Sequence, residues 1–172
     1  MAAARERSLP PEVARETKHR ILDTLAAMVS GAHLKPGEMA IRYARAQGGV
    51  AEATIVATDI RTSAVNAALV NGMFAHADET DDFEPVTKAH PGCAVVPAAF
   101  AMAEREGRSG VETLCAVTLG YDVCCRFLMA LGPDLVRATH RSAEGTSSTL
   151  GGAAAAASLA RLDESGMRYA LS

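Results

Sequence analysis

Aromatic residues are scarce in this sequence. Its 172 residues include no tryptophan, four phenylalanines and three tyrosines, although 49% of the residues are apolar. The core must therefore be built mainly from Ala, Leu, Val, Ile and Met. Side chains of this size suit closely packed helices better than a β-sandwich, whose strands favour aromatic and β-branched residues. We predict an all-α, helical bundle-like fold with at most one short strand.

A strong charge of either sign is also missing. Seventeen basic and twenty acidic residues leave a net charge of −3, which offers no electrostatic footprint for nucleic acid or an anionic membrane. No apolar run reaches about 18 residues without a polar residue, and the first residues lack the apolar region of a secretory signal. We therefore predict a cytoplasmic protein without a nucleic-acid or membrane partner.

Paired cysteines and nucleotide motifs are absent as well. The four cysteines form no CxxC pair and lie in apolar runs, a pattern typical of reduced, buried thiols. The glycine-rich segment 145–152 fits neither GxGxxG nor GxxxxGK[ST]. The sequence thus gives no sign of a disulfide framework or a nucleotide site.

Prolines, glycines and capping residues divide the chain into helical segments. We predict a loose terminus over residues 1–9 and one helical domain over residues 10–172. The β-branched run at 53–58 is compatible with one short strand or with an extended connection. The helices are predicted at about 10–31, 36–47, 63–76, 93–105, 110–131 and 151–157, with another after residue 163.

Two of these helices carry more specific expectations. Pro97 lies in the fourth helix, which must therefore start late or bend. Ser109 is the predicted N-cap of the fifth helix, and Glu112 lies in its first turn, where negative charge is favourable. The fifth helix is apolar on nearly every face, so we predict that it is the buried central helix.

The stretch from Asn71 to Cys93 concentrates polar side chains between two apolar helices. The polar side chains within fifteen positions include two histidines, four carboxylates and a lysine that are candidates for chemistry: His76, Asp78, Glu79, Asp81, Asp82, Lys88 and His90. A solvated acidic loop is one interpretation of this composition. General acid–base chemistry is a second, because carboxylates beside a histidine can remove and return protons. A metal site is a third, with His76, Glu79, Asp82 and His90 as ligands, although HxxxH and HExxH patterns are absent.

Short motifs in and after this stretch carry a resemblance to a known family. They are Asn71-Gly72, Ala75-His76, Glu79 with Asp81-Asp82, His90-Pro91-Gly92, Pro97-Ala98-Ala99, Ala103-Glu104, Gly107 with Ser109-Gly110, Gly120-Tyr121 and Thr149-Leu150-Gly151. Over roughly residues 10–172 the sequence resembles the MmgE/PrpD family, which includes 2-methylcitrate dehydratase and cis-aconitate decarboxylase.

The resemblance implies an all-helical domain, an active site at its junction with a separate α/β lid, a homodimer, and no metal or organic cofactor. Asp82 and His90 match the family's acidic and HPG active-site motifs, and Glu79 falls where members carry aspartate or glutamate. We therefore predict His90, Asp82 and Glu79 as catalytic residues. His90 is the leading proton-transfer group, and Asp82 is expected to orient it or to act as its partner acid.

Substrate binding is predicted for Lys88, His76 and Arg141. Lysine and arginine form charge-assisted hydrogen bonds with carboxylates, so Lys88 and Arg141 would help to hold a small polycarboxylate.

The sequence also departs from the family pattern. Phe83 follows the Asp pair where some members have threonine. Ser142 and Glu144 occupy positions where the glycine-rich segment often includes a histidine, and His140 is displaced. Family members are much longer, so the sequence is expected to lack the lid and the rest of the helical domain. Two functions therefore remain open: a lyase acting on a polycarboxylate, and a truncated, non-catalytic helical module that dimerises or pairs with a partner.

Overall fold

The protein is described by a computed structural model over residues 1–172, and it is helical, as predicted. A 3₁₀ turn spans Ala2–Glu6 and a π-helical segment spans Glu144–Ser148. Within the predicted loose terminus, the Arg5 guanidinium donates to the Leu162 carbonyl at 2.8 Å. The eight α-helices are α1 Pro11–Gly31, α2 Lys35–Gln47, α3 Ala64–Ala75, α4 Gly92–Glu106, α5 Gly110–Leu131, α6 Pro133–Ala138, α7 Thr149–Leu159 and α8 Glu164–Ala170.

A small hairpin corrects the prediction of at most one strand. Strands β1 (Ala53–Thr54) and β2 (Arg61–Thr62) pair in antiparallel register. The buried Asn71 side chain attaches this hairpin to α3, because it accepts from the Val56 amide and donates to the Thr54 carbonyl. Strands of two residues are too short to show a period-two pattern, so the sequence did not reveal the second one.

The buried centre of the fold is formed by α3, α4 and α7 rather than by α5. α4 buries eight residues and α7 buries seven, whereas α5 buries only five of its 22. The prediction that α5 is the buried central helix is therefore wrong. The glycines and alanines of α7 explain the difference, since Gly151 approaches the Gly120 carbonyl too closely for a Cβ atom at that position.

Helix α5 is also long and apolar enough, by length and composition alone, to cross a membrane. Core helices of soluble proteins pass the same test, and α5 packs against α1, α4 and α7. The expected absence of a membrane partner remains a prediction.

Two local features differ from expectation. Helix α4 begins at Gly92 and contains Pro97 as a buried residue, so a late start is wrong. All four cysteines are free, but only Cys93 and Cys124 are buried.

Candidate active site

The predicted polar stretch forms a loop, here called the acidic loop, that covers residues 76–91 between α3 and α4. His76 is the C-cap of α3, and Pro91 is the N-cap of α4. The two helices pack against each other, which brings the two ends of the loop together. Phe74, two residues before the loop, is fully buried in the main core. The loop therefore starts and ends on rigid elements.

Asp81 lies between two imidazoles. Its Oδ1 atom is 3.0 Å from Nδ1 of His76, within hydrogen-bond distance, and 3.4 Å from Nδ1 of His90. The Asp81 side chain is fully buried, whereas that of His76 is one-third exposed. The two imidazole rings meet edge to face, with centroids 5.2 Å apart. We call these three residues the His–Asp–His cluster.

Asp82 has a different position from the one predicted. Its Oδ1 atom accepts the Gly92 amide at 2.9 Å, at the first residue of α4. It thus holds the start of α4 in place, and Asp81, rather than Asp82, contacts His90. A Cβ atom at residue 92 would collide with the Asp82 carboxylate and the Thr24 hydroxyl, so only glycine fits there.

Burial raises the pKa of Asp82 above its ordinary value of 3.8. The adjacent Tyr121 hydroxyl, the hydrogen bond from the Gly92 amide and the charge of Arg20 oppose this effect, and the charge of Asp81 adds to it. The Tyr121 hydroxyl is buried beside this carboxylate but lacks a well-aligned hydrogen bond. Burial and the Asp82 charge raise the pKa of Tyr121, so it stays protonated at neutral pH.

The other predicted site residues lie on the surface, outside the cluster. Glu79 and Lys88 are exposed and have positive φ angles of 55° and 64°. Positive φ is uncommon outside glycine, and such backbone is frequent at functional sites. The Lys88 ammonium lies 5.1 Å from the centroid of the Phe83 ring. Arg141 is exposed and lines a cavity together with Lys88 and Arg137.

A turn within the acidic loop is held by Glu84. Its carboxylate accepts from the amides of Val86 and Thr87 and from the Thr87 hydroxyl. Partial burial raises its pKa, but these hydrogen bonds and the Lys88 charge outweigh that effect, so the pKa of Glu84 lies below its ordinary value.

The carbonyl of His90 is fixed by two residues that sequence reasoning did not assign to the site. The Cys93 thiol donates to it at 3.1 Å, and the Ser148 hydroxyl donates at 3.4 Å. Ser148 closes the π-helical segment 144–148, and π-helical turns often occur at functional sites. This segment falls in the polar run 139–150. The displaced His140 is exposed and lies outside the cluster.

The cluster is also the only group of three or more potential metal ligands of the His, Cys, Asp and Glu types. All three donor atoms lie within 4.8 Å of one another. The fold brings together a different set of ligands from the one predicted from the sequence, because Glu79 and Asp82 lie outside this group. A buried carboxylate between two imidazoles can orient both rings and compensate a positive charge on either, which is an arrangement suited to proton transfer.

Comparison with known proteins agrees with the motifs. The family model described as the MmgE/PrpD N-terminal domain matches residues 1–172. Cis-aconitate decarboxylase of Homo sapiens is 33% identical over 171 residues, which cover 95% of this chain and 35% of that protein. The cis-aconitate decarboxylase-like protein oryM of Aspergillus oryzae is 28% identical over 136 residues, or 74% of this chain and 28% of its own length.

Cis-aconitate decarboxylase of Aspergillus terreus is 27% identical over 134 residues, with 74% of this chain and 27% of that protein covered. The chain thus spans about a third or less of the length of these relatives. With a family model matched along its whole length, this chain belongs to the MmgE/PrpD family through its N-terminal domain.

Proposed function

We propose that this chain supplies proton-transfer groups to a lyase site that acts on a small polycarboxylate. The observation that carries this proposal is the buried Asp81 carboxylate beside both His76 and His90 at the start of α4. The similarity to cis-aconitate decarboxylases supports the substrate class. Whether the reaction loses water or carbon dioxide depends on where the substrate is held.

The roles of the two histidines follow from their contacts with Asp81. When ionised, the carboxylate accepts hydrogen bonds but cannot donate one. The Nδ1 atom of His76, which is hydrogen-bonded to Asp81, therefore carries the proton. Nε2 of His76 is then the free, basic nitrogen. His90 is held through its backbone carbonyl, and its ring meets that of His76 at 5.2 Å. One imidazole can accept a proton from carbon next to a carboxylate, and the other can deliver one.

Substrate carboxylates would be held by exposed cations that share a cavity at the acidic loop. Lys88 and Arg141 line one cavity, and Arg137 adds a third positive charge there. Exposed Glu79 remains a candidate partner acid, and Asp82 serves the site by holding the start of α4. No metal or organic cofactor is required by this scheme.

The test is His90→Gln in the longest polypeptide that the gene encodes, assayed on cis-aconitate and 2-methylcitrate by NMR. Removal of a proton-transfer group commonly lowers the rate about 10²–10⁴-fold. His33→Gln is the matched control, because His33 is an exposed histidine far along the chain from the cluster. Wild-type turnover in a folded His90→Gln variant would show that the acidic loop is not part of the catalytic centre.

A second candidate function is a non-catalytic helical module that pairs with another copy or with a partner. It is favoured by a row of exposed apolar residues on α3, Val65, Leu69 and Met73, which are spaced at four-residue intervals. Such a row on a helix forms a continuous apolar stripe. Homodimerisation through this stripe is compatible with either function.

A further inference from the structure

Two buried polar atoms of the His–Asp–His cluster have no hydrogen-bond partner. They are Oδ2 of Asp81 and Nδ1 of His90. The Asp81 side chain is completely buried, so bulk water does not solvate its free oxygen. Buried polar atoms are nearly always paired, and two unpaired polar atoms on the residues of one cluster indicate that a further species binds there.

The spacing of the donor atoms fits a small cation. In a tetrahedral site with metal–ligand bonds of about 2.0–2.1 Å, neighbouring donors lie about 3.3–3.4 Å apart. Oδ1 of Asp81, the other oxygen of that carboxylate, lies 3.0 Å from Nδ1 of His76 and 3.4 Å from Nδ1 of His90. The ligand nitrogens of His76 and His90 lie within 4.8 Å of each other. Rotation of the partly exposed His76 ring can shorten this distance.

The donor types select the kind of cation. Two imidazole nitrogens and one carboxylate oxygen suit Zn²⁺ and similar transition metals, whereas Mg²⁺ prefers oxygen ligands and retains its waters. The nearby Cys93 thiol points to the His90 carbonyl, to which it donates at 3.1 Å, and it does not belong to the group of donor atoms that lie within 4.8 Å of one another. Three protein ligands leave one position for water or a carboxylate.

We propose that the His–Asp–His cluster is a reversible binding site for Zn²⁺ and chemically similar divalent ions. The ion is a competitor rather than a cofactor, because binding at Nδ1 of both histidines displaces the hydrogen bond by which Asp81 orients the His76 ring for proton transfer. Inhibition by zinc rests on the proposed lyase function, but zinc binding does not. The site has three ligands, one of them partly exposed, so binding is expected to be saturable but weaker than at a four-ligand structural site.

The experiment is calorimetric titration of the tag-free, chelator-treated chain with ZnCl₂ and, separately, MgCl₂. We expect one equivalent of Zn²⁺ to bind and no heat of binding from Mg²⁺. Addition of Co²⁺ should give the visible absorption of a four-coordinate ion. His76→Gln should weaken Zn²⁺ binding at least about 10–100-fold, since loss of even an outer-shell partner has that effect. His33→Gln should leave it unchanged.

His76→Gln is the primary variant because its one-third exposed side chain can be replaced without opening the core. Asp81→Asn is the second variant, with circular dichroism to confirm its fold. Failure of the chain to bind Zn²⁺, or binding that is equal in wild type and both variants, would overturn the proposed site. Zinc that binds here without slowing an active enzyme would instead refute the proposed lyase role of the cluster.

Discussion

At the scale of single residues, two adjacent carboxylates have different roles. Asp81 is directed to the two histidines, and Asp82 to the Gly92 amide and Tyr121. Neighbouring side chains of a non-helical segment point in different directions, so they meet different surroundings. In the sequence the two residues are chemically identical, and the prediction placed Asp82 beside His90, where the structure has Asp81.

Asp82→Asn should change how stability depends on pH. Asp82 keeps its proton to a higher pH in the folded state than in the unfolded chain. The pKa of aspartate in the unfolded chain is about 3.9. Stability therefore falls as pH rises from that value through the raised folded pKa. Asparagine keeps an oxygen acceptor for the Gly92 amide but cannot ionise. Urea unfolding measured at a series of pH values above about 4 should show that this decline is lost in the variant.

Glu84→Gln is the control, because Glu84 changes the pH dependence of stability in the opposite direction. The pKa of Glu84 is lowered in the folded state, so its contribution to stability is present above the unfolded pKa and is lost as pH falls. The glutamine variant should be less stable than wild type at neutral pH. An unchanged pH profile in Asp82→Asn would contradict the assigned environment of Asp82.

At the scale of elements, capping residues set helix boundaries as predicted. Ser109 and Glu112 form a reciprocal capping box at the start of α5. Glu112 also accepts a hydrogen bond from Arg161, which with the Ser109 contacts lowers its pKa to about 2. These signals are local, so they can be identified without knowledge of the fold.

Ser109→Ala should lower the free energy of unfolding by about 1 kcal/mol, because the N-cap oxygen no longer accepts the Glu112 amide. Thermal or urea denaturation measures this loss. Ser30→Ala is the control, since Ser30 is an exposed helical serine without a side-chain hydrogen bond. Equal stabilities of the two variants would show that the capping box does not stabilise α5.

At the scale of the whole molecule, the α3 stripe is an apolar surface that the fold leaves uncovered. Val65, Leu69 and Met73 are 76%, 46% and 38% exposed. Contiguous exposed apolar surface promotes association between proteins. The stripe ends three residues before His76, so a second copy bound there would lie close to the candidate active site.

Leu69→Glu should shift the chain from dimers or larger species towards monomer, because the charge would have to be buried in the contact. Size-exclusion chromatography with light scattering measures the mass. Leu22→Glu is the matched control, since Leu22 is a 66% exposed leucine on α1. A wild-type chain that is already monomeric at high concentration, or a Leu22→Glu variant with the same effect, would contradict association through α3.

Local signals in the sequence were enough to predict the helical class, most helix boundaries and the location of the acidic loop. Proline, glycine and capping signals act over a few residues, and the small apolar residues restrict how the core can be built. The family motifs were equally local, and the match over residues 1–172 confirmed them.

The contacts between residues far apart in the sequence depend on the tertiary fold. The Asp81 carboxylate reaches the two histidines because α3 and α4 pack together and close the acidic loop. The burial of α7 in place of α5 likewise depends on close approach between Gly120 and Gly151. Hydrophobic periodicity reports which face of a helix avoids water, but it carries no information about which neighbour covers that face. Partner choice depends on shape and spacing across the chain, and these exist only once the helices have packed.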